Sequence, residues 1–490
     1  MVKTQSVSPS ELWKKLPWKK FRKSVFRLQM RIYRAQKAGR LRTVRNLAKL
    51  LLRSIAARML AVRQVSQLNS GKKTAGVDKV KSINFKTRFE YAKHLRGWRK
   101  HKHAKLREIP ISKPNGKKRI LKVPTIKDRA WQCLMKYALE PIAEVGFAAT
   151  SYGFRPGRSA YDAQRMIFNK ASQKQRWIVD LDIEACFDRI SHSTILKRIP
   201  GWMRRQINQM LQTIGTPEFP DQGVAQGGII SPLLSNIALN DVEDTVTFRN
   251  GSSRIIRYAD DMVVICDSEE QAQQALETIK ANLAAKGLNV SQAKTRIVPM
   301  TEGFDFLGWY FYHYRGHKPK IVSIPSKKSV KNYKLKVKEI LAHSQFSVKV
   351  KTQKLQQLTA GWKRYHQYCD LGRIYTTLWA MENRAWQRDQ RLFKGFIPTK
   401  YKVFGHNNVR GTKSPYDGDL LYWSKRNCDQ YDGIFHRTLR KQEWKCAECK
   451  LLFTNEERIN LHHRDGKHNN WKANNLAAIH ESCHDYIHMK

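Results

Sequence analysis

Apolar and polar residues alternate along Trp177-Ile178-Val179-Asp180-Leu181-Asp182-Ile183. That period of two predicts a strand with Asp180 and Asp182 on one face and Val179, Leu181 and Ile183 on the other. Two short runs, Ile255-Ile256 and Met262-Val263-Val264-Ile265, flank Tyr258-Ala259-Asp260-Asp261 and predict a tight hairpin with adjacent carboxylates at its tip. A second hairpin is predicted where Ile109–Lys113 and Lys118–Val123 bracket the turn Pro114-Asn115-Gly116. Elsewhere the period is helical. In Phe26–Arg34 and Leu41–Val62 apolar residues recur at helical spacing, with Leu47, Leu51, Ile55 and Met59 on one side. Beyond Pro325 a stripe of Leu355, Leu358, Trp362, Tyr365 and Tyr368 predicts packed helices as far as about Phe393. From Phe396 to about Gln442 no period is sustained, and irregular, partly ordered structure is expected.

Charge adds a partner to this α+β pattern. The 490 residues carry 92 Lys and Arg against 40 Asp and Glu, a net charge of +52, which implies a polyanion. Leu16 to Val77 contains no acidic residue, so its helices read as basic and amphipathic; RNA binding is the expectation, and a solvated face or a membrane-surface helix is the alternative. No apolar run is long enough to cross a bilayer, no signal-peptide pattern occupies Met1–Ser10, and no membrane partner is expected. Eight Cys stand singly until Cys446 and Cys449, a usage expected of reduced thiols in a cytosol-like compartment. The length admits three or more domains, and 41% hydrophobic residues can supply their cores.

The carboxylates define candidate chemistry. Asp260 and Asp261 repel one another, and a divalent ion relieves that repulsion. Nucleotidyl transfer uses two ions about 3.5–4 Å apart, held by carboxylates from separate strands. Asp182 with Asp260 and Asp261 would form that set, whereas Asp180 and Asp188 read as structural. Lys113 and Arg119 flank the first hairpin loop, placed to fold over a triphosphate or simply to touch a nucleic-acid backbone. Gln226-Gly227-Gly228 offers a side-chain amide beside backbone with no Cβ, against which a flat base pair can lie. At the C-terminus Cys446-x-x-Cys449 and His480-x-x-Cys483 have the spacing of a tetrahedral Zn²⁺ site. His462, His463, Asn475, His484 and His488 lie between and after these pairs.

Tyr258-Ala259-Asp260-Asp261, preceded by Asp182-Ile183-Glu184-Ala185-Cys186-Phe187-Asp188, resembles group II intron-encoded reverse transcriptases, also called maturases. Asn69–Asp78, Ile109–Arg119, Ser151–Ser159 and Ala225–Leu233 match that family in its order. Gly287-Leu288-Asn289 with Lys294-Thr295, Phe306-Leu307-Gly308 and Gly361–His366 continue the match. The resemblance implies a right-hand polymerase with Mg²⁺ at Asp182, Asp260 and Asp261. Lys113 and Arg119 then close on an incoming dNTP, Gln226 lies beside it, and Phe187 excludes a 2′-hydroxyl; a core aromatic is the alternative for Phe187. The C-terminal segment resembles HNH nucleases. There His463 is the general base, Asn475 orients it, and His462, His484 and His488 ligate Mg²⁺ or Mn²⁺. Many such modules use four Cys for structural zinc, so His480 and His484 compete for the fourth position. A zinc knuckle without nuclease activity is the alternative.

The expected architecture is therefore multidomain α+β. Residues 1–80 form a basic extension and the start of the fingers, 81–315 the fingers and palm, and 316–395 a helical thumb or maturase domain. Residues 396–442 form a DNA-binding linker region and 443–490 a zinc-stabilised ββα HNH nuclease. The implied partners are group II intron RNA, target DNA and dNTPs in a bacterial-type cytoplasm. A splicing-only maturase and a host-defence reverse transcriptase are the competing readings.

Overall fold

The computed structural model describes residues 8–112, 116, 118–171, 176–215, 218–314, 320–388, 406–429, 431, 433–453 and 458–488. Three basic helices, Trp18–Lys37, Leu41–Arg53 and Ile55–Arg63, pack around the helix Ile126–Ala143. Their apolar faces belong to the core that also holds Trp131, Leu134, Leu181 and Leu288. The N-terminal residues are thus built into this core rather than appended to it. The expected stripe continues through Leu47 and Leu51 but not Ile55, which is 55% exposed. The chain turns at Ser54 (ψ 130°), and this break resets the helical phase before Met59 is buried again.

Eleven strands form four sheets among the described residues. The fingers hairpin pairs β1 (Arg107–Ser112) with β2 (Lys118–Val123). Lys113 lies outside the described residues. The palm sheet contains β3 (Trp177–Asp182), β4 (Ile255–Tyr258), β5 (Asp261–Cys266) and β6 (Arg296–Pro299), in the antiparallel order β4-β5-β3-β6. Alternation sorts its two faces. Val179, Leu181, Met262 and Val264 enter the fingers–palm core, while Ile178, Val263 and Ile265 enter a second core with Tyr152 and Trp309.

β7 (Phe304–Phe306), β8 (Trp309–Tyr314) and β9 (Lys320–Pro325) form a three-stranded sheet. This sheet crosses the expected boundary at 315, because β9 pairs with β8 throughout its length. The helices Lys327–Ala342, Val348–Tyr365 and Tyr375–Arg388 follow. Tyr365 stacks on Trp309, ring centroids 4.9 Å apart and planes 3° from parallel, and its hydroxyl donates to the Leu307 carbonyl at 2.6 Å. That contact seats the thumb stripe on the sheet.

The segment expected to be irregular contains two nine-residue helices, Leu420–Cys428 and Gly433–Lys441. Helices of so few turns give too little repeat to register as a period. Cys428 and Leu439 share a core with Phe453 and Ile479 of the C-terminal module, so the boundary at 442 divides one packed unit. This segment also docks on the palm. Buried Asp162 accepts from His406 Nε2 (3.0 Å), the Val409 amide (3.1 Å) and Arg426 Nη2 (2.5 Å). The chain ends in β10 (Ile459–His463), antiparallel to β11 (Leu476–His480), and the helix Glu481–Ile487. No helix among the described residues is long and apolar enough to cross a membrane.

Candidate polymerase centre and C-terminal metal clusters

The pleat places Asp182 directly opposite Asp261 across β3 and β5. Tyr258 and Asp261 pair across β4 and β5, leaving Ala259 and Asp260 as the hairpin tip. Ala259 adopts a left-handed conformation, φ +61°, which strains a residue bearing a Cβ. Surrounding contacts hold it there. Arg257 Nη1 donates to the Ala259 carbonyl at 3.1 Å and to Asn236 Oδ1 at 2.9 Å, and Arg257 Nε donates to Glu243 Oε1 at 2.6 Å. All three side chains are buried. Asn236 Nδ2 in turn donates to the Gly153 carbonyl at 2.8 Å. A Cβ at Gly153 would collide with the Ala259 amide, so the backbone there approaches as closely as glycine allows.

Arg257 and Glu243 were not among the residues singled out from the sequence. Their signal was a charged residue inside the apolar run Ile255-Ile256-Arg257-Tyr258, which demands a buried partner that spacing alone does not locate. Replacing Arg257 by Met strands Glu243 and the Ala259 carbonyl. A loss of about 3–5 kcal/mol in stability is expected from urea unfolding. Adding Glu243→Leu should restore much of that stability without restoring the anchor on the Ala259 turn.

The carboxylates carry more negative charge than nearby cations neutralise. Lys294 Nζ donates to Asp182 Oδ2, and Arg296 pairs with Asp180 at 3.1 Å, the structural role expected of Asp180. Desolvation by the protein around the turn and the charge of Asp182 push Asp260 above the usual carboxylate range. Desolvation, then the Asp260 and Asp182 charges, push Asp261 up to about 7. A divalent cation completes such a site, and the donor set, oxygen only, suits Mg²⁺.

Asp182 and Asp260 border a cleft of about 1650 Å³ that Arg119, Phe187, Asp188, Gln226 and Lys294 also line. Gln226 joins two of them, accepting from Arg119 Nε and donating through Nε2 to Asp188 Oδ2 at 3.2 Å. The fingers hairpin is thereby latched to the loop beneath it, and the Lys122 amide adds a bond to the Gln226 carbonyl at 3.1 Å. Phe187 is half-buried, packed on the core while bordering the cleft. Lys294, noted earlier only as part of a motif, proves to be the cation in contact with Asp182.

Two clusters close the C-terminal module. One metal-ligating atom from each of Cys446, Cys449, His480 and Cys483 lies within 4.8 Å of the others, and all four residues are buried. Cys449 Sγ and His480 Nδ1 are 3.3 Å apart. His484 belongs instead to the second group, with His462 and His488. The competition between His480 and His484 is thus separated spatially: β11 delivers His480 inward, and the following helix turns His484 and His488 to its other side. Hydrogen bonds within the cluster push the Cys446 thiol down and the Cys483 thiol up, so the thiols share protons among themselves. His463 lies at the end of β10 with Nε2 buried and unpartnered, edge-on to Trp471.

Asn475 departs from expectation. Its Nδ2 donates to Asp465 Oδ1 (3.0 Å) and the Asn470 carbonyl (2.8 Å), and its Oδ1 accepts from the Asp465 amide (3.1 Å). The bond to His463 expected from the sequence is not among these contacts. Asn475 fastens the loop between β10 and β11, so it positions His463 only through the backbone.

Residues 111–311 match the family model described as reverse transcriptase (RNA-dependent DNA polymerase), and residues 13–95 match the N-terminal domain of reverse transcriptase. The chain is 29% identical to maturase-like protein 1 of Euglena gracilis over 375 residues, covering 75% of this chain and 80% of that one. Protein YkfC of Escherichia coli is 30% identical over 276 residues, 46% of this chain and 71% of its own. Group II intron-encoded protein LtrA of Lactococcus lactis is 34% identical over 151 residues, 29% of this chain and 25% of its own. Among solved structures, a telomerase from Candida albicans in complex with a telomeric RNA fragment is similar at 13% identity and a TM-score of 0.34. The match spans 61% of each chain, and at that score it bears no weight. Sequence relatives and the opposed carboxylates agree: the chain belongs to the reverse transcriptase family, and its relatives include maturase-like and group II intron-encoded proteins.

Proposed function

We propose that this protein copies RNA into DNA at Asp182, Asp260 and Asp261, and that its C-terminal module is a metal-dependent HNH nuclease that nicks target DNA. The observation that carries the first half is the opposition of Asp182 and Asp261 across β3 and β5, with Asp260 at the adjoining tip. Two Mg²⁺ ions held by these carboxylates would supply activation of the primer 3′-hydroxyl and stabilisation of the leaving pyrophosphate. Arg119 spends Nε on Gln226, leaving its terminal amines for triphosphate oxygens. Phe187 presents an apolar edge toward the sugar and favours dNTPs. The Arg257–Glu243–Asn236 network keeps the two adjacent carboxylates from rotating away from Asp182.

The second half rests on the ββα arrangement and its two clusters. Cys446, Cys449, His480 and Cys483 would hold structural Zn²⁺, stabilising a module with little core of its own. His462, His484 and His488 would hold Mg²⁺ or Mn²⁺ against the cleaved phosphate. His463 takes the proton of the attacking water. The nick leaves a 3′-hydroxyl, which is the primer the polymerase centre needs. The basic helices and thumb would hold intron RNA through splicing and then present it as template, which is retrohoming by target-primed synthesis. Such a protein works in the cytoplasm of a bacterial-type cell, on intron RNA and chromosomal DNA.

The raised Asp261 gives this reading a pH signature. Its neutral form dominates below about 7, and a proton must leave before a metal binds. The Mg²⁺ concentration giving half-maximal primer extension should therefore rise roughly tenfold for each pH unit below that value. A magnesium requirement independent of pH across this range would separate Asp261 from the metal.

A further inference from the structure

Four side chains at the root of the fingers hairpin take no part in either proposed site. His94 ends the helix Phe85–His94, His101 and His103 lie on the segment leading into β1, and Asp128 occupies the first turn of the helix Ile126–Ala143. His101 Nε2 is 2.8 Å from Asp128 Oδ1, and His103 Nδ1 is 3.5 Å from the same oxygen. One ligating atom from each of His101, His103 and Asp128 lies within 4.8 Å of the other two. Donors on a tetrahedral zinc ion, with bonds near 2.0–2.1 Å, stand about 3.3 Å apart. The observed separations bracket that spacing.

The surroundings resemble a built coordination shell. His94 Nε2 lies 3.1 Å from His101 Nδ1, the outer partner that fixes the ring orientation of a ligating histidine. Asp128 Oδ2 accepts from Thr125 Oγ1 (2.7 Å) and the Ala104 amide (3.3 Å), which turns Oδ1 toward the imidazoles. Trp131 walls the group, with the His101 and His103 rings 5.6 and 4.5 Å from its centroid. A relay of hydrogen bonds alone satisfies His94, His101 and Asp128. It leaves His103 Nδ1 at a long 3.5 Å from Asp128 Oδ1. A shared cation would draw that nitrogen into a bond.

We propose that His101, His103 and Asp128 bind one zinc-like divalent ion, which clamps the start of the helix Ile126–Ala143 to the root of the fingers hairpin. With three protein donors the fourth position falls to water, and the ion serves to join these elements, because its ligands lie in the core rather than on the cleft. The test is metal content of the full-length protein after dialysis against metal-free buffer. His103→Gln should carry one equivalent of zinc fewer than the unaltered protein, with the loss independent of the C-terminal clusters. Equal zinc content in the two folded proteins overturns the proposal. A second variant covers the case in which His103→Gln does not fold. Cys446→Ser, Cys449→Ser and His462→Ala together disable both C-terminal clusters in the full chain. Titrated with Co²⁺ alone, this variant should bind one equivalent with tetrahedral absorption and no thiolate charge-transfer band. No bound cobalt equally overturns the proposal.

Discussion

Replacing Asp260 and Asp261 together by alanine abolishes RNA-templated primer extension while leaving the protein folded. The two side chains lie at the tip and edge of a hairpin whose stability comes from beneath it, through Ile255, Ile256, Val263 and Val264 and the buried Arg257–Glu243 pair. Removing two mutually repelling carboxylates, both pushed above their usual range, relieves strain in the native state. Unfolding by urea should therefore show unchanged or slightly raised stability. Activity moves the other way. Metal stabilisation of a phosphoryl-type transition state amounts to several kcal/mol, so extension should fall by on the order of 10³-fold or more. A variant that stayed within tenfold of the unaltered protein would remove the polymerase centre from these residues.

His463→Ala carries the second large effect, on the other chemistry. His463 stands at the end of β10, beside the His462–His484–His488 group but not one of its ligands. Its loss should spare the metal and the module's fold, and lower strand nicking by about 10²–10⁴, the usual contribution of a positioned general base. Primer extension on an RNA template supplied with a ready-made DNA primer should not change. The two activities are then separable in one chain. Loss of extension alongside nicking would show that the variant had disturbed the fold; unchanged nicking would assign the base to another group.

What could be read in advance depended on the range of each interaction. The period of two in β3 placed Asp182 on the correct face, and the Tyr258–Asp261 hairpin followed from local turn chemistry. Each depends on neighbours in sequence. The opposition of Asp182 to Asp261 is a register between strands some 80 residues apart; two-ion chemistry and the family resemblance grouped the three carboxylates, but neither supplied the register. Arg257 had to find Glu243 on another element, and no local pattern identifies such a partner. Asn475 shows the opposite error, since a role borrowed from a motif placed its hydrogen bond on His463 while its nearer loop neighbours Asp465 and Asn470 took it. Ile55 was misplaced because Ser54 interrupts a helix without any residue that ordinarily breaks one. The docking of 406–429 on Asp162 escaped notice because its helices are short and its ion pairs join residues more than 200 positions apart.

A palm with these three aspartates should polymerise DNA on RNA. The direct measurement is incorporation of dNTPs by the purified full-length protein on an RNA template annealed to a DNA primer, with magnesium as the only divalent ion. Products longer than the primer, reaching the template end and dependent on both RNA and magnesium, are expected. Retention of tight RNA binding with no extended product would contradict that expectation and would leave a protein that assists RNA folding on an inactive polymerase scaffold.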